Sequence, residues 1–119
     1  MPCRDDWTRD ATDPLETITV RITPALPVRD YALAVTVTDT TKSSAAVNLG
    51  PFSSFHLKGG VTWELRPGCV YHLFLTAVAE PGNDPILDVS FFYNGQPECD
   101  QPYGRAGSGL VHQWTVVVI

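Results

Sequence analysis

Apolar and polar residues alternate with a period of two along much of this chain, the signature of strands with one buried face. In ETITVRIT, residues 16–23, Ile18, Val20 and Ile22 share one side and Thr17, Thr19, Arg21 and Thr23 the other. YALAVTVTD, residues 31–39, repeats this with Tyr31, Leu33, Val35 and Val37 inward. Weaker strands are expected over 45–49 and 52–58, and VTWEL, 61–65, sets Val61, Trp63 and Leu65 together. Three stronger segments follow: VYHLFLTAV (70–78), ILDVSFFY (86–93) and LVHQWTVVVI (110–119). In the last, Leu110, Trp114, Val116 and Val118 are expected on one face. Between the segments lie turn formers: NLGP, KGG, RPG, EPGNDP and NGQ.

Seven or eight short strands spaced by turns predict an all-β, antiparallel Greek-key β-sandwich. The chain of 119 residues holds one such domain, over 16–119. Residues 1–15 read as an acidic N-terminal arm, and 94–109 as a long Gly- and Pro-containing loop.

LRPGCVY, residues 65–71, carries the most specific local signal. Leu65 ends one strand facing the core, Pro67 and Gly68 turn the chain between sheets, and Tyr71 enters the next strand with its ring buried. The buried phenol then requires a hydrogen-bond partner, which the backbone just upstream can provide: a tyrosine corner. The heptad resembles the corner of fibronectin type III and immunoglobulin-like sandwiches, whose pattern is L-x-P-G-x-x-Y followed by alternating apolar residues. Here Leu73, Leu75 and Ala77 continue that inward face. The resemblance implies an immunoglobulin-like sandwich, and the segment beyond residue 93 then adds an appended C-terminal strand. The early strand YALAVTV lacks the tryptophan of the fibronectin pattern.

Composition narrows the range of function. Eight Lys and Arg against thirteen Asp and Glu give a net charge of −5, with no basic stripe to bind a phosphate backbone. Nucleic acid is therefore not an expected partner, and no run reaches transmembrane length. The N-terminus, MPCRDDWTRDATDP, has no apolar core of a signal peptide, so a cytoplasmic location or one within an assembled particle is expected. Cys3, Cys69 and Cys99 form an odd set without a C-x-x-C pair. The expectation is three reduced thiols, with a Cys69–Cys99 bridge as the alternative.

Chemistry at named residues is sparse. Cys69-x-x-His72 matches half of a copper site, but a three-residue offset on a strand aims the two to opposite faces. His56, His72 and His112 sit in separate segments without ligand spacing. Ser53 and Ser54 lie near His56 without a nucleophile elbow. Glu80, Asn83, Asp84 and Asp88 supply oxygen ligands of the calcium type, in a segment that also reads as an ordinary turn. No enzyme activity and no cofactor are expected.

Outward positions of 70–78 are unusually apolar. His72, Phe74 and Val78, with Phe92, form an expected interaction face, covered either by the arm with Trp7 and Leu15 or by a partner. The first functional expectation is thus a non-catalytic structural or interaction module, a subunit of a larger particle, fibre or virion that contacts other protein subunits, its own copies or different ones. The alternative is a ligand-binding module, with a glycan as the partner and Tyr103 and Arg105 at the site on the 94–109 loop.

Overall fold

The alternating segments pair into two sheets that bury their apolar sides against each other. The computed structural model describes residues 2–10, 12, 14–41 and 46–119. In chain order the elements are β1 (Asp6–Arg9), β2 (Thr17–Pro24), β3 (Val28–Asp39), β4 (Val47–Asn48), β5 (Phe52–Ser53), α1 (Ser54–Gly59), β6 (Val61–Glu64), β7 (Cys69–Ala79), β8 (Ile86–Tyr93), β9 (Gln96–Gly104) and β10 (Gly109–Val118). One sheet runs β1-β10-β7-β3-β4, with β5 also on β3; the other runs β6-β2-β8-β9. All pairings are antiparallel except β1 on β10. The result is an all-β sandwich compatible with an immunoglobulin-like fold.

Alternation decides which side chains fill the space between the sheets. Val20 and Ile22 of β2, Leu33 and Val35 of β3, Leu73 and Leu75 of β7, and Leu87 and Val89 of β8 have no solvent exposure. Trp114 of β10 joins them, with Phe91 set against its ring at 5.4 Å. Each such side chain contributes roughly 1.5–3 kcal/mol by leaving water. Tyr31 is buried as well, and its hydroxyl donates to the Ile22 carbonyl at 2.8 Å.

The corner at 65–71 has the expected geometry. The Tyr71 hydroxyl accepts the Arg66 amide at 3.0 Å and donates to the Glu64 carbonyl at 3.0 Å. Leu65 and Tyr71 are both buried. Gly68 has a positive φ of 74°, and a Cβ there would meet Thr41 Cγ2 at 2.8 Å. Only glycine fits this bend.

Four sequence expectations need correction. Residues 96–104, expected within a loop over 94–109, form β9 at the edge of the second sheet. Pro97 and Pro102 and the mainly exposed side chains hide its strand character, and edge strands are where prolines are tolerated. The segment 52–58 pairs only at Phe52–Ser53 and then turns into α1, which buries Leu57 and stops at Gly60 with φ 99°. Leu110 is 46% exposed rather than inward, because the register of β10 on β7 shifts between Leu110 and His112 and reverses its parity. The 86–93 strand, expected to bring Phe92 to a face shared with His72, Phe74 and Val78, lies in the other sheet. It crosses to β2, and the β8–β9 hairpin precedes the return of the chain to β10.

The arm also acquires structure. Its residues 6–9 extend the first sheet as β1, and Trp7 turns inward, edge-on to Phe91 at 4.8 Å. Cys3 is bonded to Cys99, and Cys69 is a buried free thiol. This replaces both the three-thiol expectation and the Cys69–Cys99 alternative: Cys69 opposes Asp39 in the first sheet, while Cys99 opposes Phe91 in the second. Residue 45 of the expected 45–49 strand lies outside the described residues, as do Met1, Ala11 and Asp13 of the arm. No described helix is long and apolar enough to cross a membrane.

Replacing Tyr71 by Phe removes both hydroxyl hydrogen bonds and is expected to cost about 1–2 kcal/mol of stability. Tyr71→Ala adds a cavity, for a total of about 3–5 kcal/mol. Urea unfolding of the two variants against wild type measures both, and an unchanged midpoint for Tyr71→Phe would show that the hydroxyl does not hold the corner.

Candidate interaction surface

The register of β3, β7 and β10 fixes what the first sheet shows to solvent. Outward side chains line up in rows across β3, β7 and β10: Thr38, Val70 and Val117; Thr36, His72 and Thr115; Ala34, Phe74 and Gln113; Ala32, Thr76 and Leu110. None of these positions carries Asp, Glu, Lys or Arg. His72 stacks on Phe74 with centroids 6.4 Å apart, and its Nδ1 lies 3.4 Å from Thr115 Oγ1. The next position on β7, Val78, is 44% exposed and opposes Asp30, where charge returns. Among the described residues no element packs over these rows, since β1 extends the sheet sideways and sends Trp7 into the core.

The second sheet has a different outer face. Glu64 on β6, Arg21 on β2, Asp88 on β8 and Asp100 on β9 give each of its strands a charge. Phe92 belongs here, across the sandwich from His72, Phe74 and Val78, and lies under the Arg21 guanidinium at 5.1 Å. The four expected face residues therefore split between two surfaces. Alternation showed that Phe92 points outward, but not which sheet receives its strand.

Tyr103, expected as an exposed ring on a loop, is only 7% exposed. It faces the core from β9, perpendicular to Trp114 at 5.1 Å, and its hydroxyl accepts the Trp114 Nε1–H at 3.4 Å. Arg105 is committed to its own loop, donating to the Leu110 carbonyl at 2.8 Å and the Ala106 carbonyl at 3.2 Å. A sugar-stacking platform at Tyr103 is thus ruled out by its burial. A cleft of about 290 Å³ does open at the other side of the sandwich, between Val37, Val47 and Leu49 and the pair Trp63 and Arg66. Trp63 stacks on Phe52 at 6.2 Å there, and its buried Nε1–H has no hydrogen-bond partner among the described residues.

The candidate ligand groups are dispersed. Glu80, Asn83 and Asp84 build the β7–β8 turn: the Asn83 amide donates to the Glu80 carbonyl, and Asp84 Oδ1 accepts the Gly107 amide at 3.1 Å. Asp88 lies in β8 beside Thr23 and Pro102. His56 meets Ser53 Oγ at 3.0 Å across the start of α1, His72 lies on the outer face, and His112 meets Asp5 at 2.6 Å. Among the described residues no three His, Cys, Asp or Glu side chains are grouped to hold a metal.

Two polar ties had no strong sequence signal. Asp5–His112 spans the chain ends, with the His112 ring 4.3 Å from that of Tyr103. Arg9 pairs with Glu98 at 2.5 Å and lies over the Tyr93 ring at 4.2 Å. The hint was Trp7 itself, a large apolar residue in a polar stretch that needs a core to enter.

Burial raises the pKa of three phenols: Tyr31, where the Asp30 charge adds to it, and Tyr71 and Tyr103, where hydrogen bonds from the Arg66 amide and the Trp114 indole partly oppose it. The folded state thus holds these protons more tightly than the unfolded state. The stability they lend is fully present below the ordinary tyrosine pKa of about 10 and is lost as pH rises through the raised values. An alkaline titration followed by tyrosinate absorbance and near-ultraviolet circular dichroism is expected to show these phenols ionising as the fold opens. Ionisation of all three at ordinary values with the fold intact would contradict this.

Set against models of known protein families, curated proteins and solved structures, the chain matches none of them.

Proposed function

We propose that this chain is a non-catalytic β-sandwich subunit that works through protein–protein contact, with the uncharged outer face of β3, β7 and β10 as its contact surface and a second copy of the chain across it. The observation that carries this reading is the asymmetry of the two outer faces. One holds rows of Thr, Ala, Val, Phe, Leu, Gln and His with no Asp, Glu, Lys or Arg, and the other has a charged residue on every strand.

Electrostatics favours this face for self-association. Copies that each carry −5 repel, and the repulsion is least where the approaching surfaces hold fewest carboxylates: the rows across β3, β7 and β10 hold none, and Asp6 of β1 stands beside Thr115 at their margin. Burying such a face also avoids the several kcal/mol of desolvating an unpaired ion. The eleven residues of β7 over three strands span roughly 500 Å², and the four residues of β1 and two of β4 at the flanks bring this to roughly 600 Å². Two such faces together bury about 1,200 Å², the lower end of the range for specific interfaces.

Light scattering and sedimentation of the purified chain test the reading. Wild type is expected to associate at micromolar concentration, and Ala34→Glu, which sets a carboxylate amid the rows, is expected to weaken association by about 100-fold or more. Arg21→Glu, on the opposite face, is expected to leave association unchanged. A wild-type chain that stays monomeric to about 100 μM, weaker than the affinity such an interface should supply, would overturn the proposal.

A further inference from the structure

The sandwich has a seam where β1, the end of the first sheet, meets β9, the end of the second. The Cys3–Cys99 disulfide closes it covalently. Beside the bond, the Cys3 amide donates to Gln101 Oε1 at 2.9 Å, and Arg9 pairs with Glu98 further along. The strand so fastened is slight. It has four residues, lies parallel on β10 and buries one side chain, Trp7. Its backbone ties to β10 include the Thr115 amide on the Asp5 carbonyl and the Ile119 amide on the Arg9 carbonyl.

We infer that the Cys3–Cys99 disulfide is a latch that keeps β1 on its own chain, and that opening it lets β1 exchange with the β1 of a second copy. A small dithiol opens it by thiol–disulfide exchange: one thiolate attacks a protein sulfur, the second displaces the mixed disulfide, and two protein thiols and the cyclic disulfide of the reagent result. Before cleavage β1 is held at both ends, through Cys99 and through residues 10–16 leading to β2. Afterwards only the second connection is covalent.

The occupant follows from the geometry. Every contact β1 makes within its chain can be made to another copy: Trp7 against Phe91, Arg9 against Glu98, the parallel ladder on β10, and Cys3 facing Cys99. Only the covalent connection from β1 to β2 differs between the two arrangements. An exchanged strand of this kind is a general low-cost route to a symmetric dimer. It uses the edge of β10 rather than the outer face of the sheet, and is therefore independent of the face contact proposed above.

The test uses the full chain with Cys69→Ala, so that two thiols remain. Unlabelled and ¹⁵N-labelled chains are mixed, reduced with dithiothreitol, reoxidised, and digested for mass spectrometry of the Cys3–Cys99 peptide. Mixed-isotope pairs whose share rises with protein concentration are expected. Near-ultraviolet circular dichroism should show the sandwich retained in the reduced state, with faster hydrogen exchange at the Thr115 and Ile119 amides. The same result is expected in an Ala34→Glu background, which separates exchange from face pairing. Same-isotope pairs alone at every concentration would overturn the inference. So would loss of the folded signal on reduction, which would show that β1 is not a separable strand.

Discussion

The hydroxyl of Tyr71 holds the crossing at which the chain passes from one layer of this sandwich to the other. It accepts the Arg66 amide and donates to the Glu64 carbonyl, so the chain leaving β6 is held against the strand it is about to become. The bend it stabilises serves other elements. The Gly68 amide donates to the Val118 carbonyl at the end of β10, and the Gly68 carbonyl accepts both the amide and the hydroxyl of Thr40 just beyond β3. One turn therefore ties down the same end of β3, β7 and β10. Side chains on a strand change face with every residue, so this fixed start helps set which residues of β7 face the core and which form the outer rows.

That dependence explains how far the sequence could be read. Strands β2, β3, β7 and β8 were legible because each has one fully buried face, and burial writes a period of two into the residues. The outward direction of His72, Phe74 and Val78 was legible for the same reason. The neighbour of each strand was not, because alternation within a strand carries no information about the edge it joins. Phe92 shows the consequence: its orientation was right, and its sheet was not. Leu110 shows another limit, since a register shift one residue later reversed its side without leaving any mark in composition. Edges were the least legible. β9 buries little beyond Tyr103, and β1 has only Trp7 to report that it belongs to the fold. The disulfide joins these two segments, and so was hidden with them.

The edges bear on why the outer face, rather than a strand edge, is the surface proposed for association. An open strand edge is a template for another chain, and natural sheets blunt such edges. Here β4 is only two residues long, and β9 carries Pro97 and Pro102. The edge of β10 is occupied by β1, which the disulfide holds in place. With pairing at these edges restrained, the outer side of β3, β7 and β10 remains as a broad surface whose rows carry no Asp, Glu, Lys or Arg. The two proposals thus rest on different parts of one sheet. The face needs only the register set from Tyr71, whereas the β10 edge becomes available only when β1 is released. In the oxidised chain the face is open and the β10 edge is covered by β1, so on these proposals cleavage of a single bond adds a second surface to the first.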